Sequence, residues 1–238
     1  MKHYIQYTQS ELDEILTDHN LYLRTSGEEG ECADLSNADL SGVNLTGVNL
    51  SEAKLSGANL SGADLSGADL SATNLMYAHL IGVNLSRADL SGADLKYAIL
   101  NRANLRDSDL TEADLYYASL HMTDLTGAKL CGAILNKTNL YRANLFEANL
   151  KYAILGETTL DGTNLKYADL DFSCLPLWCG SFRAEFDDRQ IAQFAYHIVK
   201  AGLASKNVSD KTKNELKKII GLANTFHRAT ECGKIKED

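Results

Sequence analysis

The chain has 238 residues, 45% hydrophobic and 8% aromatic, with one proline and a formal net charge of −9. That length suits one domain with small additions, and the acidic balance argues against direct nucleic-acid binding. No apolar run is long enough to cross a membrane, and the polar, acidic N-terminus does not read as a secretory signal; the five scattered cysteines, an odd number, point to free thiols in a reducing, cytoplasmic setting.

In chain order, Thr8 and Glu11 have the spacing of a helix capping box, with Tyr7 and Leu12 placed as a hydrophobic staple. Leu12, Ile15 and Leu16 share one helical stripe. The pattern predicts a helix over about 8–18, an extended Leu21–Leu23 and a turn-rich Ser26–Gly30. Residues 1–30 are therefore read as an N-terminal helical cap.

From Leu35 to Leu175 leucine occupies every fifth position, in 29 consecutive pentapeptides. On an α-helix a five-residue step scatters these side chains around the axis, and on a flat strand it alternates them between faces. One shared interior requires a chain that turns a corner about every five residues and stacks on itself. The residue two before each leucine is small, Ala in 19 of the 29, so both can point inward from one short extended segment. Asp or Asn precedes the leucine in 20 of 29 units, and a polar residue, then often Gly, comes after it; these residue types support tight turns.

The unit A-(D/N)-L-S-G resembles the pentapeptide-repeat family. The resemblance implies an all-β solenoid: a right-handed quadrilateral β-helix of about seven coils, with about 20 residues per coil. The spacing of Tyr77, Tyr97 and Tyr117, and of Asp69, Asp89 and Asp109, repeats that period independently. A rod of this kind is about 34 Å long. The repeat domain is assigned to 31–175. A leucine-rich-repeat horseshoe needs a longer unit with mixed leucine spacings.

After the last repeat leucine, Pro176 removes a ladder donor and ends the register. Leu177, Trp178 and Phe182 are placed to cover the last coil. Two amphipathic helices come next: one carries Ile191, Phe194, Ala195 and Ile198, and the other starts at the N-cap Ser209 and carries Leu216, Ile219, Ile220 and Phe226. Residues 176–238 have two readings, a two-helix C-terminal cap or a homodimerisation segment. The N-terminal helix and the segment around Trp178 also resemble those of pentapeptide-repeat proteins of Firmicutes and their prophages.

No catalytic motif is present. The glycines keep to the repeat rather than forming a phosphate loop, and the serines are turn residues by position. Cys174, Cys179, His197, His227 and Cys232 lack the tight pairs of a zinc site, so no metal or cofactor is expected.

Two outward rows stand out. Asp69, Asp89 and Asp109 are expected to stack, with Asp94 and Asp114 on the adjoining side, although like charges one strand apart repel by about 0.9 kcal/mol even in water. Tyr77, Tyr97 and Tyr117 form a second row, with Met76 and Tyr116 beside it and His79, Ile99 and Ile81 on the next side. These residues either stack to stabilise the coil or form a partner surface. Ile134 and Ile154 also point outward and are expected to be covered by the C-terminal segment.

Three functions compete: a non-enzymatic scaffold presenting a rigid acidic rod to an unidentified protein partner, a DNA mimic that binds a type II topoisomerase, as the resemblance allows, and a passive structural or phage-accessory protein. The ten basic residues of the repeat dilute the charge needed for mimicry, and several gyrase-protecting relatives carry loops and central phenylalanines that this repeat lacks.

Overall fold

The computed structural model describes residues 4–170, 173, 190–191, 203 and 209–218. The chain divides into two compact units, Met1–Glu185 and Phe186–Asp238. The first is a right-handed β-helix solenoid. Its parallel bridges join each residue to the one 20 positions later, as in Asp34↔Lys54↔Asn74↔Asp94. Four leucines fall in each such period, and the repeat leucines from Leu35 to Leu170 are all at most 4% exposed.

The hydrogen bonds explain the repeat residue by residue. In the unit Ala58–Gly62, all five N–H groups have a partner. Ala58 N–H closes a turn onto Leu55 O (3.1 Å), Asn59 N–H reaches back to Ala38 O (2.8 Å), and Leu60 N–H reaches forward to His79 O (2.7 Å). Ser61 N–H is taken by Oδ1 of Asn59 (3.2 Å), and Gly62 N–H pairs with Ile81 O in the next coil (2.9 Å). The fourth donor has no backbone acceptor, which is why Asp or Asn precedes the leucine. Where another residue stands there, a neighbouring coil can supply the acceptor. Asn101 Oδ1 takes His121 N–H after Ser119, and Asn136 Oδ1 takes Gly156 N–H after Ile154.

Asparagine adds a second bond. Asn84 donates to Asp64 Oδ1 (3.0 Å), and Asn104 donates to Asn84 Oδ1 (3.0 Å). The same ladder links Asp124, Asn144 and Asn164. Inside, five threonines replace the small residue. Each sends its hydroxyl to a leucine carbonyl of the preceding coil, as Thr73 does to Leu50 O (2.8 Å).

At the N-terminus, helix α1 spans Gln9–Arg24 with the expected capping box between Thr8 and Glu11. The helix is longer than the predicted 8–18, and Leu21–Leu23 are helical rather than extended. His19, Tyr22 and Leu23 continue the stripe begun by Leu12, Ile15 and Leu16, and no breaker intervenes before Ser26 and Gly27. Ile5, ahead of α1, pairs with the first coil: its N–H reaches Asn37 O, and its carbonyl accepts Asp39 N–H, both at 2.8 Å. His19 is fully buried, and its Nδ1 accepts Ala33 N–H at 3.2 Å.

Ile134 is half-buried and Ile154 is 41% exposed; the C-terminal segment expected to cover them lies almost wholly outside the described residues. In the second unit, α2 spans Asp210–Lys217, and Ser209 Oγ accepts Thr212 N–H at 3.2 Å. Ile191, assigned to the apolar stripe of the preceding helix, is 44% exposed, while Gln190 is buried. Pro176, Leu177, Trp178 and Phe182 lie outside the described residues, as does most of the predicted helix pair. Among the described residues, no helix is long and apolar enough to cross a membrane.

Candidate interaction surface

The corners decide which side chains reach solvent. Each is a four-residue turn whose third residue has positive φ, as a type II turn requires. All 27 such positions from 37 to 167 fall between +54° and +70°, and 17 of them are not glycine. A side chain there costs roughly 1–2 kcal/mol against the left-handed backbone. Tyrosine is nonetheless placed at five of these corners, including Tyr77, Tyr97 and Tyr117.

Those three stand at one corner of successive coils. The rings of Tyr77 and Tyr97 stack with centroids 5.0 Å apart and 10° between planes; Tyr97 and Tyr117 stack at 5.6 Å and 11°. Tyr116 stands edge-on to Tyr97 and Tyr117. One coil further, the Lys137 ammonium lies 5.2 Å from the Tyr117 centroid. Glu157 and the two tyrosine rings hold that ammonium above the usual lysine range. The stack is nevertheless open to solvent, with Tyr77, Tyr97 and Tyr117 exposed by 49%, 39% and 49%. Met76 is half-buried beside them.

The face after this corner carries His79, Ile99 and Ser119 in one bridged column. Ile81 belongs to the far corner of that face, with Arg102, Met122 and Tyr141. There His121 stacks on Tyr141 at 5.3 Å, and the Arg142 guanidinium lies 5.1 Å over the Tyr141 ring. Ile81 and Met122 are 44% and 45% exposed. At the N-terminal end of the face, the Tyr4 ring meets His79 edge-on at 6.2 Å.

In this register, residues 76–82, 96–102, 116–122 and 136–142 form one continuous strip. It contains no Asp or Glu and four basic residues: Lys96, Arg102, Lys137 and Arg142. The rest of the same coils, 83–95, 103–115, 123–135 and 143–155, contains eight carboxylates. Apolar and aromatic groups with a basic rim thus occupy one side of these four coils; the strip ends at the next level, where Glu157 and Asp161 stand. Linear reading found the tyrosine side of the strip and missed Arg102, Met122, Tyr141 and Arg142; the available signal was the absence of acid in windows 20 residues apart.

The acidic residues stack as the period predicts: Asp69, Asp89 and Asp109 form one column, and Asp94 bridges Asp114 on the adjoining face. Lysines pair with both rows. Lys129 lies 2.9 Å from Asp109, and Lys96 lies 3.1 Å from each of Asp94 and Asp114. Burial pushes Asp109 up, but hydrogen bonds from Thr111 and Lys129 hold it below the usual carboxylate range. The two aspartates hold Lys96 above the usual lysine range through hydrogen bonds. Each aspartate also accepts the N–H two residues on, Asp69 from Ser71 and Asp89 from Ser91. These carboxylates therefore serve the turns first.

Among the described residues, no group of three His, Cys, Asp or Glu is placed to hold a metal ion. Cys174, Cys179, His197, His227 and Cys232 lie outside the described residues.

The architecture defines a β-helical repeat protein with a continuous leucine core and an exposed aromatic strip. The chain belongs to the pentapeptide repeat family, whose model matches in eight copies, in segments running from 33–71 to 143–176. Among similar solved structures, the pentapeptide repeat protein Rfr23 from the cyanobacterium Cyanothece 51142 is 32% identical over 46% of this chain and 84% of its own, with a TM-score of 0.41. HetL from the cyanobacterium Nostoc, involved in heterocyst differentiation regulation, is 33% identical over 65% of this chain and 77% of its own, with a TM-score of 0.32. QnrB1, a plasmid-mediated fluoroquinolone resistance protein, is 18% identical over 68% and 84%, with a TM-score of 0.44. Comparison with the curated proteins gives no match.

Proposed function

We propose that the protein is a non-enzymatic, cytoplasmic scaffold that presents its rigid solenoid to a protein partner, with no cofactor. The observation that carries this reading is the exposed Tyr77–Tyr97–Tyr117 stack on a strip free of carboxylates. Stacking alone does not require the histidines, isoleucines and methionines around it, and contiguous exposed apolar surface of this kind marks interaction sites. The coil supports the role: its leucine core and coil-to-coil hydrogen bonds hold these side chains at fixed spacing, and Ile5 pairs with the first coil.

DNA mimicry with a type II topoisomerase is the weaker reading. Lys96 and Lys129 neutralise part of both acidic rows, which serve the turns. A pull-down with the full chain tests the first reading: a saturable partner retained by the wild type and lost with Tyr97→Ala is expected. Equal recovery with both proteins would remove the strip as the binding surface. Inhibition or protection of gyrase supercoiling at micromolar protein would instead favour mimicry.

A further inference from the structure

We propose that the strip takes a short acidic polypeptide segment in extended form, with aromatic or aliphatic side chains seated between two basic corners. This rests on reading the strip as the partner surface and adds the partner's chemistry. The charge pattern carries it. In a chain of net charge −9, four successive coils present one side with no carboxylate and four basic residues. Lys96 is held by Asp94 and Asp114, but among the described residues Arg102, Lys137 and Arg142 form no ion pair. Lys137 and Arg142 lie instead over tyrosine rings, at opposite corners of the face. The cations thus flank the apolar column of His79 and Ile99: Lys96 is shared with Asp94 and Asp114 and Lys137 feels Glu157 in the next coil, which leaves Arg102 and Arg142 as the least neutralised charges.

The dimensions fit such a ligand. Four coils span about 14 Å between the first and last level, the length of about five extended residues. An aromatic side chain of this chain already rests at the start of the strip: the ring of Tyr4 meets His79 edge-on, while Ile5 pairs with Asn37 and Asp39 two coils earlier in the same column. A single-stranded nucleic acid also favours stacked aromatics with cations. A long polyanion, however, meets a net charge of −4 on the other faces of the same coils, where eight carboxylates face four basic residues. A short acidic segment stays within about one Debye length of the rim, roughly 8–10 Å at ordinary salt.

The test is selection of a random peptide library, about 12 residues long, on the immobilised full chain, with titration of the enriched peptides. Enrichment of net-negative peptides with aromatic or aliphatic residues is expected. Their affinity should fall at least tenfold with Arg102→Glu plus Lys137→Glu, and also with Tyr97→Ala. All three sites are corners outside the leucine core, and circular dichroism checks that each variant is folded. If the enriched peptides are neutral or basic yet depend on Tyr97, the charge inference is overturned while the surface reading stands. If no enriched peptide depends on Tyr97, both fall. Tighter, Tyr97-dependent binding of a uridine oligonucleotide of similar length would overturn the peptide assignment.

Discussion

Tyr97 sits where two forces oppose each other, and the balance can be measured. Its φ of +60° favours glycine, while its ring stacks on Tyr77 and Tyr117 and meets the edge of Tyr116. Aromatic pairs contribute about 0.5–1.5 kcal/mol each beyond their buried area. Removing the ring therefore costs roughly 1–3 kcal/mol at this partly exposed site. Tyr97→Ala loses the stacks and keeps most of the backbone penalty. Tyr97→Gly loses the same stacks but relieves about 1–2 kcal/mol of left-handed strain, offset by about 0.5–1 kcal/mol of extra freedom in the unfolded chain. The expected order of stability is wild type, then Gly, then Ala, with Gly about 0.5–1 kcal/mol above Ala. Guanidinium unfolding monitored by far-UV circular dichroism reads it, with midpoints compared because repeat arrays need not unfold in two states. An alanine variant as stable as wild type, or more stable than the glycine variant, would refute the account of the corner.

The same geometry gives three further expected outcomes. Leu100→Ala should cost about 3–5 kcal/mol, because Leu100 is fully buried, whereas its outward neighbour Ile99→Ala should cost less than about 1 kcal/mol; the two unfolding midpoints check this. Asn144→Asp replaces a donor to Asp124 and Thr126 with a second carboxylate, so stability at pH 7 should drop by about 1 kcal/mol, and by less as the pH falls through the carboxylate range. His19 is held below its ordinary value by burial, partly offset by the Ser51 carbonyl and Glu52. The unfolded chain then binds the proton first, so stability is intact above about pH 6.5 and is lost as the pH falls through the lower folded value. His19→Asn, which keeps an acceptor without titrating, should flatten the curve below about pH 6.5; parallel curves would exclude His19 as the cause.

The leucine period made the solenoid legible because a single core admits few other ways to place every fifth side chain. The capping box located the start of α1 for a similar reason: it is a local, stereochemical signal. The end of α1 was misread because Leu21 and Leu23 alternate like a strand, while the continuation of the helical stripe runs through His19, a residue not counted as apolar. The acidic rows were legible as columns, yet their pairing was not, since Lys96 bridges two coils and Lys129 answers Asp109 from the next. The strip was half legible: Tyr77, Tyr97 and Tyr117 repeat at 20, but Arg102, Met122 and Tyr141 share no residue type. Only folding into register makes them neighbours.

The most direct test of the strip places a photoreactive phenylalanine analogue at position 97 and, separately, at position 107. Both are exposed left-handed corners, one on the aromatic strip and one among the carboxylates. Irradiation in a lysate of the source organism should give one discrete adduct from position 97, competed by unmodified protein, and none from position 107. The same adduct from both positions, or an adduct from 107 alone, would contradict the account.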